Sequence, residues 1–290
     1  MQRVNAVSAQ AAGTIGIGGD LTVNRMGFGA MRLTGSGIWG EHPDPEACKA
    51  VLRRVIELDI NFIDTADSYG PEVSERLIAE TLYPYPDDLV IATKAGMLRP
   101  GPGQWVPNGR PDHIKKACEG SLRRLRLEEI PLYQFHRPDP KVPIEESVGA
   151  MSELKEQGKV RHIGVSNVDE EQLARARTVT PIVSVQNRYN LGDRDSDGLI
   201  DVCEDERLAF LPWRPVADLA EAQGPLAEVA QRHDATPAQV ALAWLLRRSP
   251  ATLLIPGTAS IEHLEENVGA AGIQLADDDL RTLEEVKTES

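Results

Sequence analysis

Leu89-Val90-Ile91-Ala92-Thr93-Lys94 is the stretch that decides the fold of this chain. A short β-prone apolar run stops abruptly on a lysine. Lysine is rarely buried, so a Lys placed directly after such a run points into a barrel interior or its mouth. Outward from this strand the same pattern repeats. Short runs of this kind lie at Met26–Met31, Asn61–Asp64, Leu132–His136, His162–Ser166, Ile182–Asn187, Phe210–Trp213 and Thr252–Pro256. Helical patterns near 44–58, 72–82, 111–125, 144–157, 169–178, 197–207, 225–247 and 260–270 separate them. Eight strands alternating strictly with eight helices predict an all-parallel sheet. Eight units favour closure into an α/β (β/α)₈ TIM barrel, a fold of about 250 residues.

Local signals agree. Val51, Leu52, Val55, Ile56 and Leu58 form one apolar helical stripe. Pro111-Asp112 reads as a helix start, and Thr236-Pro237 places a cap and a first-turn proline before another helix. Residues 14–25 alternate around Gly18-Gly19-Asp20, a hairpin that could plug the amino-terminal end of the barrel. A short helix around Asp277–Val286 closes the pattern. The expectation is one domain over residues 1–290, with 1–13 a flexible amino terminus. Two segments, Thr34–Pro45 and Met97–Pro111, are too long and too rich in glycine and proline to be mere connections. Both belong on the carboxyl-end face, where barrel active sites lie. Each carries one tryptophan, Trp39 and Trp105. These are either packed on the surface or walls of a substrate pocket.

The chain has 290 residues, 41% of them hydrophobic, enough for a sizeable core. Its net charge of −14 argues against a nucleic acid or an acidic membrane as partner. An anionic cofactor stays compatible, because clustered backbone amides hold phosphate inside acidic proteins. Cys48, Cys118 and Cys203 are isolated, with no disulfide framework or zinc spacing, and read as inert thiols of a reducing cytoplasm. Neither a secretory leader nor a membrane-length apolar run is expected.

The chemistry is carried by four residues at the carboxyl ends of strands: Asp64, Tyr69 just beyond it, Lys94 and His136. Alone, a strand-end aspartate is usually a cap and a tyrosine is usually packing. Together, in neighbouring parallel strands, an acid, a phenol, an ammonium and an imidazole make a proton-donating, oxyanion-stabilising site. Carbonyl reduction needs such a site. Gly27-Phe28-Gly29-Ala30-Met31-Arg32 lacks the third glycine of a dinucleotide fingerprint and lies within a strand, so it is set aside.

The ordered set Asp64–Gly70, Lys94, Phe135–Asp139, Gly164–Asn167, Gln186–Asn190 and Ile255–Thr258 resembles the aldo-keto reductase superfamily, over about residues 14 to 288. Trp39, the Leu82–Pro86 turn, Pro212-Trp213 and Ile255–Asn267 look closest to its small bacterial members, which include pyridoxal reductases. The resemblance implies reduction of an aldehyde or ketone by NADPH, with NADH the second choice. Tyr69 would give the proton, and Lys94 would favour phenolate and lower the Tyr69 pKa. Asp64 would hold Lys94, and His136 would orient the carbonyl. Tyr69, His136, Trp39 and Trp105 would line the substrate site.

By the same resemblance, Ser166, Asn167 and Gln186 would meet the nicotinamide carboxamide, and Trp213 would stack on the ring; core packing is the alternative for that indole. Gly29, Met31 and Asp64 would lie near the cofactor, and Pro215 and Val216 would lead to the pyrophosphate. Pro256, Gly257, Thr258, His263 and Asn267 would form the adenosine-phosphate segment. This chain departs from the family there: Gly257 and His263 stand where many members place Lys and Arg, so weaker discrimination between the two cofactors is expected. A short tail predicts an open, permissive pocket. A small-molecule carbonyl compound is the expected partner, and a monomer the expected state. The competing function is a cofactor-binding regulatory protein with vestigial turnover, which the intact Tyr69, Lys94 and His136 argue against.

One string points elsewhere. Asp193–Glu204 fits a calcium loop, with oxygen ligands at loop positions 1, 3, 5, 9 and 12 and glycine at 6. The strand expected just before it opposes that reading, since a calcium hand needs a helix there. Ser196 or Asp197 then serves as a helix cap, and no metal is expected.

Overall fold

A computed structural model describes residues 8–216 and 224–286. Seven parallel strands run in consecutive order around the sheet: β3 (Phe28–Gly29), β4 (Phe62–Asp64), β5 (Val90–Ala95), β8 (Ile130–Phe135), β9 (Val160–Ser166), β10 (Ile182–Gln186) and β11 (Ala209–Phe210). The hairpin strands β1 (Thr14–Ile17) and β2 (Leu21–Asn24) precede them. A second small hairpin, β6 (Met97–Leu98) and β7 (Val106–Pro107), rises from the loop after β5.

The eighth stave is not a full strand. Residues 252–256 close the barrel through single bridges, Phe210 to Thr252 and Met26 to Leu254. On one side the Leu253 amide donates to the Phe210 carbonyl (2.8 Å). On the other, the Gly27 and Gly29 amides donate to the carbonyls of Leu254 (2.8 Å) and Pro256 (3.2 Å). Pro250, Pro256 and Gly257 at the ends of this stave limit regular laddering. The first expected strand shortens likewise, because Ala30–Leu33 turns into a 3₁₀ helix.

Ten α-helices are formed by the described residues: α1 (Pro45–Glu57), α2 (Val73–Leu82), α3 (Pro111–Leu125), α4 (Ile144–Glu156), α5 (Glu170–Arg177), α6 (Asp197–Glu206), α7 (Pro225–Arg232), α8 (Pro237–Arg248), α9 (Ile261–Gly269) and α10 (Asp277–Glu284). Asp44 caps α1 by accepting the Ala47 amide at 2.9 Å, and its stripe of Val51, Leu52 and Val55 is buried. The single helix expected over 225–247 is two. Asp234 takes a left-handed conformation (φ 49°), and Thr236 with Gln239 forms a capping box that starts α8 afresh.

Strand alternation sorts side chains into two cores. Outward residues such as Ile91, Tyr133 and Phe135 pack under the helices. Inward residues Phe62, Val90, Ala92 and Leu132 meet Ile17, Leu21 and Val23 of the amino-terminal hairpin. The hairpin therefore fills the amino-terminal end of the barrel, and Asp20 at its turn reaches His162 at 2.5 Å. Within the amino terminus expected to be flexible, Ala9–Ala12 forms a 3₁₀ helix. Ala9 is buried and the Ser8 hydroxyl donates to Asp59 at 2.6 Å. Among the described residues, no helix is long and apolar enough to cross a membrane.

The calcium-like string is spent on helix packing. From Asp197 onward it is helical. Asp197 accepts from the Tyr189 hydroxyl (2.6 Å), Arg248 pairs with Asp197 and Asp201, and Glu204 accepts from Ser249 (2.7 Å). Ser196 stands at the cap position but makes no side-chain capping bond; its hydroxyl accepts from Asn187 instead. The three cysteines are buried in α1, α3 and α6, where burial pushes the thiols of Cys118 and Cys203 up to about 12.

Candidate active site

The inward face of the barrel changes character within two residues along each strand. On β4, Phe62 gives way to Asp64; on β5, Ala92 to Lys94; on β8, Leu132 to Gln134 and then His136 just past the strand end. Parallel register places these polar groups in one layer at the carboxyl end. Lys94 stands beside Gln134, and Asp64 beside Ala92.

Lys94 is fully buried and makes three hydrogen bonds. Its ammonium donates to Asp64 Oδ2 (2.5 Å), to the Thr65 carbonyl (2.9 Å) and to the Tyr69 hydroxyl (3.3 Å). A buried ammonium is tolerated only when compensated in this way. Burial pulls its pKa down, but Asp64 and Tyr69 outweigh burial, so the net shift is upward and Lys94 stays charged. The second oxygen of Asp64 accepts from the side-chain amides of Gln134 and Gln186, both at 2.9 Å.

Tyr69 sits on the loop after β4, where its backbone N–H donates a hydrogen bond to the Ala66 carbonyl (3.2 Å). Its pKa is not lowered. Burial dominates and raises it above 10.0, against the opposing pull of Lys94. The lowering expected from the Lys94 cation is overridden by desolvation. Burial and the nearby cations Lys94, Arg137 and Arg99 push His136 well below 6.5, so its imidazole is neutral. Ser68 Oγ lies 3.3 Å from His136 Nδ1. A hydroxyl donating to Nδ1 puts the ring proton on Nε2. The rings of Tyr69 and His136 are edge to face at 5.9 Å.

The expected cofactor residues fall into two groups. The first is wired to the tetrad. Asn167 donates to the His136 carbonyl and to Ser166 Oγ, both at 2.9 Å, and its Oδ1 accepts from the Trp213 indole at 3.2 Å. Ser166 donates to the Gln186 carbonyl (2.7 Å). The Gln186 amide is turned inward onto Asp64. Trp213 is only half-buried, as a ring-stacking residue requires. A flat indole beside convergent amide and hydroxyl groups at the strand ends fits a nicotinamide and its carboxamide.

The second group lies on the eighth stave and α9. A Cβ on Gly257 would stand 2.4 Å from the Gly29 carbonyl oxygen, and one on Gly29 2.5 Å from that of Ile255. The two backbones touch where a side chain at 257 would begin, an approach that the paired glycines permit. Thr258 Oγ1 accepts the Ser260 amide (3.0 Å), and Ser260 caps α9 at the exposed His263. Asn267, on α9, is buried. Met31 is on the 3₁₀ helix after β3. Pro215 is buried and Val216 packs against the outer core. The loop to which those two lead, 217–223, lies outside the described residues.

Three contributors escaped the sequence reading: Gln134, Ser68 and Arg99. Gln134 had a signal, since it shares the inward phase of Leu132 and His136. Ser68 and Arg99 had none, because their partners are remote in the chain.

A match to the Aldo/keto reductase family spans residues 25–288. The chain is 49% identical over 283 residues to an uncharacterized oxidoreductase of Schizosaccharomyces pombe, covering 97% of this chain and 92% of that one. It is 42% identical over 279 residues to pyridoxine 4-dehydrogenase of Escherichia coli, covering 93% and 97%. The fold superposes on an aldo/keto reductase from Klebsiella pneumoniae in complex with NADP and acetate, with TM-score 0.79, 27% identity and 93% of each chain covered. This chain belongs to the aldo/keto reductase family. It is an NAD(P)H-dependent oxidoreductase that interconverts carbonyl and hydroxyl groups.

Proposed function

We propose that this protein reduces an aldehyde of pyridoxal type to its alcohol with NADPH, using Tyr69 as proton donor. The carrying observation is the buried Lys94 ammonium, which joins Asp64 and the Tyr69 hydroxyl. Lys94 donates to the phenol oxygen, which leaves the phenolic proton for a substrate oxygen. Burial keeps that proton on Tyr69 in the resting site. As the phenolate forms, Lys94 lies within hydrogen-bond reach of the new charge, in a place where water does not screen it. Asp64, braced by Gln134 and Gln186, keeps the ammonium in position. Neutral His136 donates through Nε2 to the same carbonyl oxygen and sets its approach. The nicotinamide, when bound, supplies the hydride to the carbonyl carbon.

Asn167 and Ser166 take the nicotinamide carboxamide, with Gln186 behind them, and Trp213 takes the face of the ring. Gly29, Met31, Pro215, Val216, Pro256, Gly257, Thr258, His263 and Asn267 line the remainder of the cofactor. The pyridoxine 4-dehydrogenase relative supports the substrate class, and the NADP-bound neighbour supports the cofactor. With no lysine at 257, preference for NADPH over NADH is weaker than a charged grip would give. The protein works as a single-domain monomer.

The test is loss of reduced-nicotinamide absorbance with pyridoxal, beside a panel of aromatic and aliphatic aldehydes, with NADPH and NADH in parallel. Fast turnover of pyridoxal with NADPH is expected. Slow turnover of every aldehyde in the panel would move the substrate to bulkier carbonyls. No turnover with either cofactor would overturn the reading.

A further inference from the structure

Arg99 stands where three loops meet above the tetrad. It follows β6, directly after the cross-strand pair Leu98–Val106, so its partner across the hairpin is Trp105. Its guanidinium carbon lies 3.6 Å from the centre of the Trp105 ring and 5.9 Å from that of Trp39. Each of its three nitrogens donates to a different backbone carbonyl. Nε reaches Gln104 (2.8 Å) in its own hairpin. One terminal nitrogen reaches Ser68 (2.8 Å), next to Tyr69, and the other reaches Gly37 (2.7 Å), in the loop after β3. The Gly103 amide donates to the same Gly37 carbonyl at 2.9 Å. The Trp39 loop is bridged in turn to Gly70, whose carbonyl accepts the Gly40 amide at 2.8 Å.

Trp105 is thereby fixed edge-on to both reacting rings, with centroids 6.3 Å from Tyr69 and 6.1 Å from His136. The planar fork of arginine can hold three divergent carbonyls while one face covers an indole; a lysine offers a single nitrogen and no plane.

We propose that Arg99 is a specificity-determining positioning residue: by tying both loops to the Tyr69 segment and stacking on Trp105, it builds an aromatic wall that favours flat aromatic aldehydes over small aliphatic ones. Arg99 acts through Trp105. The proposal rests on the reading that Tyr69 and His136 form the carbonyl site.

The experiment compares the full-length wild type with Arg99→Gln, Arg99→Lys, Trp105→Ala and the double variant Arg99→Gln/Trp105→Ala. The readout is kcat and KM with NADPH for pyridoxal, benzaldehyde and propanal. The expected result is a loss of about tenfold or more in the aromatic-over-aliphatic ratio of kcat/KM, entering chiefly through KM, the size set by one apolar contact. Lysine should not rescue it, and the double variant should be no worse than Trp105→Ala, because both changes remove one wall. Equal losses on all three aldehydes, additive effects in the double variant, or rescue by lysine would each overturn the proposal. Wild-type turnover by Tyr69→Phe would sink the underlying site reading instead. Calorimetric binding of benzyl alcohol to the Tyr69→Phe protein and its cofactor, with and without Arg99→Gln, then decides the Arg99 claim alone: about tenfold weaker binding supports it, and unchanged binding overturns it.

Discussion

The two ends of the barrel share the same strands and the same inward face, yet do opposite things. At the amino-terminal end, Phe62, Val90, Ala92 and Leu132 meet Ile17, Leu21 and Val23 of the hairpin in an apolar plug. Two positions along, Asp64, Lys94 and Gln134 form a buried polar layer under Tyr69 and His136. Each end also has a histidine. His162 at the plug faces a half-exposed aspartate, whereas His136 at the mouth is buried among cations. The difference is a division between stability and chemistry. Apolar burial at one end stabilises the fold. The other end carries a desolvated ion pair whose net contribution to stability is small.

The sharpest way to break that division is to remove one atom from the mouth. Tyr69→Phe should lower kcat/KM by about 10²–10⁴, the range of a general acid. Melting temperature and cofactor affinity should barely change, as nucleotide titration and a thermal melt would show. Parallel loss of cofactor binding would mean the phenol is structural. The matching cut at the plug is Ile17→Ala. It should cost about 2–5 kcal/mol in urea unfolding, the usual range for a buried large-to-small change. The kcat of the folded fraction should not move; a fall would show the two ends to be coupled.

A smaller effect is expected from pH. In the proposed mechanism, reduction needs His136 neutral and Tyr69 protonated. The His136 pKa lies well below 6.5, so activity fails only as pH falls below that value. The Tyr69 pKa lies above 10.0, so the alkaline limb falls beyond it. The kcat/KM profile should therefore be flat between those values, and an inflection inside the window would contradict the burial of one of these groups. Stability should decline on the acid side too. Below 6.5 the unfolded chain takes up the proton that folded His136 refuses. The smallest effect belongs to the other histidine. His162→Gln should change stability by about 1 kcal/mol or less, because Asp20 is half solvent-exposed. Its pH profile of turnover should overlay the wild type.

The sequence carried much of this. Alternation of runs and helices was legible because each unit is local, about one strand and one helix long. The four candidate residues were legible because Asp64, Lys94 and His136 each lie at or beside the carboxyl end of a strand, with Tyr69 five residues past Asp64, and their chemistry is scarce in apolar runs. The eighth stave was placed correctly as a segment, but not its reduction to single bridges, since strand pairing depends on a partner more than 200 residues away at Met26. The break at Asp234 was half legible: Thr236-Pro237 announced the new helix, but the turn ahead of it carried no glycine to mark the end of α7.

By itself, then, the sequence determined the order of elements, the parallel sheet and the candidate set Asp64, Tyr69, Lys94 and His136, which the fold brings together. These follow from side-chain periodicity and from residue types, which are written position by position. Only the tertiary structure decided the sign of the Tyr69 shift, the close approach of Gly29 and Gly257 and the three carbonyls that Arg99 joins. Desolvation is a property of everything that surrounds a group. The close approach of Gly29 and Gly257 and the bonds from Arg99 to Gly37 and Ser68 join residues that no local pattern connects.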